Sequence, residues 1–226
     1  MAMFNSNNRR DFVQLTKAER LEAMELGSEM YESSQARGLK DYRKFKRDGV
    51  DGERVQQLGS MAERAVAKAL DIEWTGWIDT FKKADLHHNV EVRLIGVDHY
   101  ALRVYDRDED SRRVVGVVIP KGREMGQYRL PGWTFACNGK LPDLKMDPLK
   151  RNHSFYGVTQ DRLLPIEELR DLIELEKQMD GKKLTPEYYQ STIVSPVLSV
   201  PRDVWDAKLK EFDDLYEKLD TKIATG

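Results

Sequence analysis

The spacing of hydrophobic residues changes from a helical period to a strand period between residues 70 and 90. From Glu53 to Leu70, apolar side chains recur every three or four positions, which predicts one long helix with a buried face. Five short segments of strand character follow, at 90–95, 100–106, 113–120, 127–136 and 153–159. Their spacing is that of a meander, and the apolar run VVGVVI (114–119) predicts a central strand. One helix followed by strands indicates an α+β fold with helices covering a sheet.

Both ends of the chain are predicted to be helical. Thr16 and Glu19 form a capping-box pattern that starts a helix ending near Gly38. A second helix is predicted over 166–181, and a third begins at Pro201 with an apolar stripe to about residue 222. This last helix is expected to pack back onto the domain or to form a homodimer with a second copy. The predicted domains are 1–50 (tail, helix and basic segment), 51–165 (α/β core) and 166–226 (C-terminal helical extension).

The charges along the chain are nearly balanced, so any nucleic-acid contact has to be local. There are 37 basic and 39 acidic residues, and the formal net charge is -2. The densest basic stretch is Arg37–Arg47, where Tyr42 and Phe45 lie among the charges. Its candidate phosphate-binding residues are Lys40, Arg43, Lys44, Lys46 and Arg47. The alternative is a solvated linker.

Several functional classes are disfavoured by what the sequence lacks. The single cysteine, Cys137, excludes an internal disulfide and a cysteine-based zinc site. No phosphate loop of the type G-x-x-x-x-G-K-[ST] and no G-x-S-x-G elbow occurs, which argues against a nucleotide-driven motor and a serine hydrolase. No signal pattern and no apolar run of about 20 residues is present, so we expect a cytoplasmic protein without membrane contact.

Three acidic residues attract attention as a candidate metal site. Glu63 lies on the long predicted helix, and Asp85 precedes Glu91 by six residues. On a strand, Glu91 and Arg93 point to one face while Val90 and Val92 point to the other. If the valine face is core, Glu91 lies on an open face, where carboxylates suit a magnesium-type ion. The ordinary alternatives are a solvated helix glutamate, a loop aspartate and a Glu–Arg pair.

The order of these segments resembles a known family. GSMAERAVAKALDI, ADLHHNVEVR, YALRVYDRDED, VVGVVIP, PGWTFA and FYGVTQDRLLPIEEL look like the core of small phage-encoded proteins related to the PD-(D/E)XK nucleases, over residues 16–170. The resemblance implies a restriction-endonuclease-like core, in which a mixed β-sheet is flanked by helices, with helical additions at both termini. It also implies that Glu63, Asp85 and Glu91 hold Mg²⁺ or Mn²⁺ for phosphodiester hydrolysis.

The sequence departs from the family motif at two positions. Ala84 replaces the proline before Asp85, and Arg93 replaces the lysine two residues after Glu91. Arginine stays charged, so Arg93 is expected to act as a fork-shaped donor to a phosphate or a carboxylate rather than as a base. We expect a metal-dependent nuclease acting on DNA, or else on RNA, in the host cytoplasm if phage-encoded. The alternative is a catalytically inactive nuclease-like domain that binds nucleic acid or protein.

Overall fold

A computed structural model describes residues 12–38, 52–76, 84–95, 101–119, 126–146, 154–179, 183–187 and 189. The chain divides into two compact units, residues 1–184 and 185–226, and every element below belongs to the first unit. The basic residues Lys40 to Arg47 and the helix predicted from Pro201 lie outside the described residues. The domain boundaries at 50/51 and 165/166 therefore stay predictions, as does the homodimer through the last helix.

The described elements follow the predicted order closely. The strands are β1 (Phe12–Gln14), β2 (Val90–Ile95), β3 (Leu102–Val104), β4 (Arg113–Val118), β5 (Gln127–Phe135), β6 (Lys145–Met146) and β7 (Phe155–Val158). The helices are α1 (Lys17–Ala36), α2 (Gly52–Leu70), α3 (Ala136–Gly139) and α4 (Ile166–Gln178). Short 3-10 turns lie at Pro142–Leu144 and Gln160–Arg162. The sequence did not predict β1, α3, the two-residue β6 or the two 3-10 turns, because such short segments carry too few positions to show a period.

The main sheet has four strands in the order β1-β5-β4-β2. All six residues of β4 are buried, which confirms the prediction of a central strand. β5 is antiparallel to both β1 and β4, whereas β2 and β4 run parallel. The sheet is therefore mixed.

The predicted meander was wrong. β3 does not pair with β2 or β4 but joins a second sheet of order β3-β7-β6, in which Leu102 faces Val158. The polar tip DRDED (106–110) looks like a tight hairpin in the sequence, yet the strand before it finds its partner about 50 residues later. Sequence spacing alone does not reveal a pairing of that range.

Helices cover the main sheet. α2 buries Ala62, Ala65 and Val66, and α4 buries Leu169 among others. α1 begins with the predicted capping box, since Glu19 N donates to Thr16 Oγ1 at 3.2 Å and Thr16 N donates to Glu19 Oε2 at 2.7 Å. The mixed α+β architecture with a mixed sheet flanked by helices is confirmed. In the described part of the chain, no helix is long and apolar enough to cross a membrane.

Candidate functional site

Asp85 is brought to β2 by a tight turn. Leu86 forms an antiparallel bridge with Val90, and the turn between them holds His88 and Asn89 at φ of 59° and 57°. The chain thus folds back beside β2, where Asp85 Oδ2 accepts a hydrogen bond from Val92 N at 2.8 Å. Asp85 therefore lies in the loop before the strand, not in a strand of its own.

The three predicted acids share one electrostatic environment. Burial and, next, the negative charges of Asp85 and Glu91 raise the pKa of Glu63 well above its usual range. Burial and the charge of Glu91 also raise the pKa of Asp85 to about 7, against the opposing effects of the Val92 amide and two nearby arginines. The charges of Asp85 in the turn and Glu91 in β2 are thus near enough to affect Glu63 in α2, and the charge of Glu91 is near enough to affect Asp85.

Glu63 has no compensating cation. Within the described residues it takes part in no ion pair and no side-chain hydrogen bond, although it is only partly exposed. A half-buried carboxylate beside two further acids is costly unless a proton or a cation neutralises it. The pKa of Glu63 is raised because this environment destabilises the ionised form of its carboxyl group.

Glu91 does not stand on an open face, contrary to expectation. Its Oε1 lies 3.2 Å from Arg93 Nη2 and its Oε2 lies 3.2 Å from Arg112 Nη1. The side chain of Glu91 is 20% exposed, because the 105–112 segment leading into β4 covers this face. The parallel register explains the second contact: Glu91 is paired with Val114, so Arg112 lies just before the start of the neighbouring strand.

Arg93 is held mainly by an aspartate that the sequence reasoning passed over. Arg93 Nη1 and Nη2 each donate to Asp108 at 2.8 Å, and the guanidinium carbon lies 4.7 Å from the centre of the Tyr105 ring. Asp108 is 5% exposed and also accepts from Tyr105 N at 2.7 Å. Burial opposes ionisation of Asp108, but the Arg93 and Tyr105 hydrogen bonds outweigh it and lower its pKa. Of the two roles expected for Arg93, carboxylate binding is the one observed.

A second buried ion pair fixes the turn that carries Asp85. Arg113 of β4 makes a two-point contact with Glu176 of α4, and both are at most 2% exposed. Arg113 Nη1 also donates to His88 O at 2.9 Å, and Arg113 N donates to Asn89 O at 3.0 Å. Burial would raise the pKa of Glu176, but hydrogen bonds from His88 and Arg113 and the charge of Arg113 lower it to about 2.

Sequence reasoning missed Asp108, Arg112, Arg113 and Glu176. The signal for the first three was present in DRDEDSRR (106–113), where seven of eight residues are charged between two strands. Such a run is usually solvated, and nothing in the sequence distinguishes Asp108 from its exposed neighbours Asp106 and Asp110. Only the pairing of β2 with β4 places Arg112 beside Glu91 and Arg113 on the opposite face.

The donor set of the three acids suits a divalent cation, although the side chains do not yet converge. Carboxylate oxygens are the ligands that Mg²⁺ and Mn²⁺ prefer. In the part of the chain that the structure describes, no group of three or more His, Cys, Asp or Glu side chains is close enough together to hold a metal ion. Glu91 is held instead by Arg93 and Arg112.

Comparison with known proteins identifies no relative of this chain. No family model, no curated protein and no solved structure matches the chain. The residues of the site therefore carry the functional argument.

Proposed function

We propose that the protein is a metal-dependent nuclease with a PD-(D/E)XK-type, restriction-endonuclease-like core, in which Glu63, Asp85 and Glu91 hold Mg²⁺ or Mn²⁺. The observation that carries the proposal is the electrostatic proximity of these acids, since burial and the neighbouring acids raise the pKa values of Glu63 and Asp85. Groups whose pKa values are raised by burial and by one another are typical of functional sites. DNA is the proposed substrate.

The local charge count favours a divalent cation. The charged groups that meet here are Glu63, Asp85, Glu91 and Asp108 on the acidic side, and Arg93 and Arg112 on the basic side. Four carboxylates against two guanidinium groups leave two uncompensated negative charges when all are ionised. One divalent ion would neutralise that excess, which no described cation does.

Each residue would have a defined part in catalysis. Glu63, Asp85 and Glu91 would supply oxygen ligands, and the Val92 amide would orient the Asp85 carboxylate. Arg93, itself clamped by Asp108, would fix the rotamer of Glu91. When bound, the cation would activate a water molecule and neutralise charge on the scissile phosphate.

The test is incubation of the 226-residue chain with linear, circular and single-stranded DNA, and with RNA, in Mg²⁺ and in Mn²⁺. We expect cleavage that EDTA abolishes and that falls by about 10²-fold or more in Glu63→Gln, Asp85→Asn and Glu91→Gln. Glu174→Gln is the matched control, because Glu174 is an exposed acid on α4. Absence of metal-dependent cleavage of every substrate, together with no Mn²⁺ binding by calorimetry, would reject the proposal.

One observation favours a second function, in which a nuclease-like domain binds its partner without catalysis. Glu91 is already engaged by two arginines, and the acids are too far apart to share an ion as they stand. Such a module would bind DNA or a protein equally well in EDTA and in Mn²⁺. The enzyme is expected instead to bind Mn²⁺ through all three acids.

A further inference from the structure

The two arginines that contact Glu91 differ in how fully their donors are used. Arg93 makes two bonds to Asp108, one to Glu91 and one to the backbone oxygen of Arg103. Four of its five N–H groups are thereby occupied. Arg93 has little capacity left for a further anion.

Arg112 is in the opposite situation. Among the described residues its guanidinium makes one hydrogen bond, from Nη1 to Glu91 Oε2 at 3.2 Å. Its Nε is buried without a hydrogen-bond partner, in a residue that is only 8% exposed. Arg112 also forms an ion pair with Glu109 at 3.7 Å, but Glu109 is 65% exposed, so solvent weakens that interaction. The charges of Asp85 and Asp108 are near Arg112 as well. A buried guanidinium with unused donors is poised for another anion.

We propose that Arg112, rather than Arg93, contacts the substrate phosphate at this site. The inference rests on the proposed function, because it assumes that Glu91 turns to a divalent cation. When Glu91 serves as a ligand, Arg93 keeps Asp108, but Arg112 loses its only hydrogen-bonded carboxylate. A phosphodiester oxygen replaces that partner and matches the fork of donors that arginine presents. Glu91 thus blocks the phosphate site until a cation is present.

A double-mutant cycle in EDTA tests the inference without metal and without cleavage. Glu91→Gln removes the charge that occupies Arg112 while keeping the side-chain shape. We expect this variant to bind a short labelled DNA duplex about tenfold more tightly than wild type. In an Arg112→Gln background, the same Glu91→Gln change should give no gain, because the freed donor is absent.

The controls separate this effect from overall charge. Arg170→Gln, an exposed arginine on α4, removes the same charge and should leave the gain from Glu91→Gln intact. Arg112→Lys provides a milder change, and thermal melting of each variant verifies folding. Equal gains in the wild-type and Arg112→Gln backgrounds, or no gain in either, would overturn the inference. Failure of Mn²⁺ binding and of cleavage in the wild type would instead reject the proposed function, which the EDTA cycle does not measure.

Discussion

Asp85 combines a raised pKa with a strong hydrogen bond to its ionised form. Its pKa is raised to about 7 by burial and by Glu91, although the Val92 amide donates to it. A carboxyl group raised in this way stabilises the metal-free fold fully below its unfolded pKa, near 4. This contribution is lost as the pH rises through about 7. Above that pH, the ionised group is available to a cation.

Metal affinity should therefore depend on pH near neutrality. Below about pH 7 the cation must displace the Asp85 proton, so we expect Mn²⁺ affinity to fall by up to about tenfold per pH unit. Calorimetric titrations at several values between about pH 6 and pH 8 would measure this. Asp85→Asn should bind Mn²⁺ weakly at every pH. A wild-type affinity that is constant over the range would contradict the assignment of Asp85 as a ligand.

Asp108 is predicted to be the residue of this cluster that most stabilises the fold. It is 5% exposed and compensates Arg93 through two hydrogen bonds. Asp108→Asn should lower the free energy of unfolding by about 2–4 kcal/mol, because it removes the two-point ion pair of a largely buried guanidinium and leaves Arg93 only the single contact with Glu91. Arg93→Lys should also destabilise, since an ammonium group cannot reproduce the two-point contact.

The comparison for Asp108 is Asp110, which lies in the same segment and pairs with Lys140. Asp110 is 74% exposed, so Asp110→Asn should change stability by about 1 kcal/mol or less. Urea unfolding of the two variants and the wild type would measure the difference. Equal stability of Asp108→Asn and Asp110→Asn would show that the Arg93–Asp108 ion pair adds no measurable free energy of unfolding.

At the scale of elements, the sequence predicted best what depends on local periodicity. α2 begins one residue before the predicted helix, β2 matches its prediction at both ends, and the buried run of β4 marked the centre of the sheet. The direction of β2 relative to β4 was not accessible, because it depends on where β3 pairs. Local patterns specify elements, whereas contacts between distant segments specify their order.

Two glycines on α1 and α2 should respond in opposite ways to alanine. A Cβ on Gly27 would lie 2.5 Å from the Gln57 Cα, where α1 and α2 meet closely. Gly27→Ala should therefore destabilise by about 1–3 kcal/mol through the backbone clash. Gly59, within α2, has nothing within 4 Å of an added Cβ. Gly59→Ala should stabilise by about 0.5–1 kcal/mol, since alanine favours the helix.

Denaturation midpoints of the two variants would measure this difference directly. A stabilised Gly27→Ala variant would mean that α1 and α2 are not in close contact in solution. A destabilised Gly59→Ala variant would mean that this face of α2 is covered.

The Arg113–Glu176 pair links α4 to β4 and should make stability depend on acid. The pKa of Glu176 is lowered from its ordinary value of 4.5 to about 2, so its contribution is present above about pH 4.5 and is lost as the pH falls toward 2. Glu176→Gln should cost about 3–5 kcal/mol at neutral pH, because Arg113 is left buried and unpaired. The difference from wild type should shrink as the pH approaches 2.

Glu174 is the comparison for Glu176, two residues earlier on α4. Its side chain is 56% exposed and pairs only with Lys177, so Glu174→Gln should leave both stability and its pH dependence nearly unchanged. Unfolding measured across the acid range would test both variants. A constant gap between Glu176→Gln and wild type down to pH 2 would contradict the lowered pKa.

At the scale of the whole molecule, the three acids were predictable and the basic residues around them were not. Glu63, Asp85 and Glu91 were named from their positions and from the resemblance to a nuclease motif, and in the structure their charges are near enough to affect the pKa values of Glu63 and Asp85. Arg112 lies beside Glu91 because β2 and β4 pair in parallel, and the sequence did not reveal that pairing. The sequence therefore indicated the acidic residues but not Arg112, which lies beside Glu91.

The near balance of charge over the whole chain leads to the last prediction, which concerns Arg37–Arg47. A protein of formal net charge -2 gains no general attraction to DNA, so its affinity must come from a local basic group. Neutralising Lys40, Arg43, Lys44 and Arg47 to glutamine should weaken DNA binding in EDTA. It should also reduce the slope of log affinity against log salt by about 0.9 for each lost phosphate contact on duplex DNA.

A control variant with the same change in net charge distinguishes direct phosphate contacts from general electrostatic attraction to DNA. Four exposed basic residues elsewhere serve this purpose: Lys145, Arg162, Arg170 and Lys177. Their replacement by glutamine should leave the salt slope nearly unchanged, because charges beyond about 8–10 Å are screened at ordinary ionic strength. Salt titrations of both quadruple variants with one labelled duplex would make the comparison. If the two variants lose affinity and slope equally, the basic segment makes no phosphate contacts of its own.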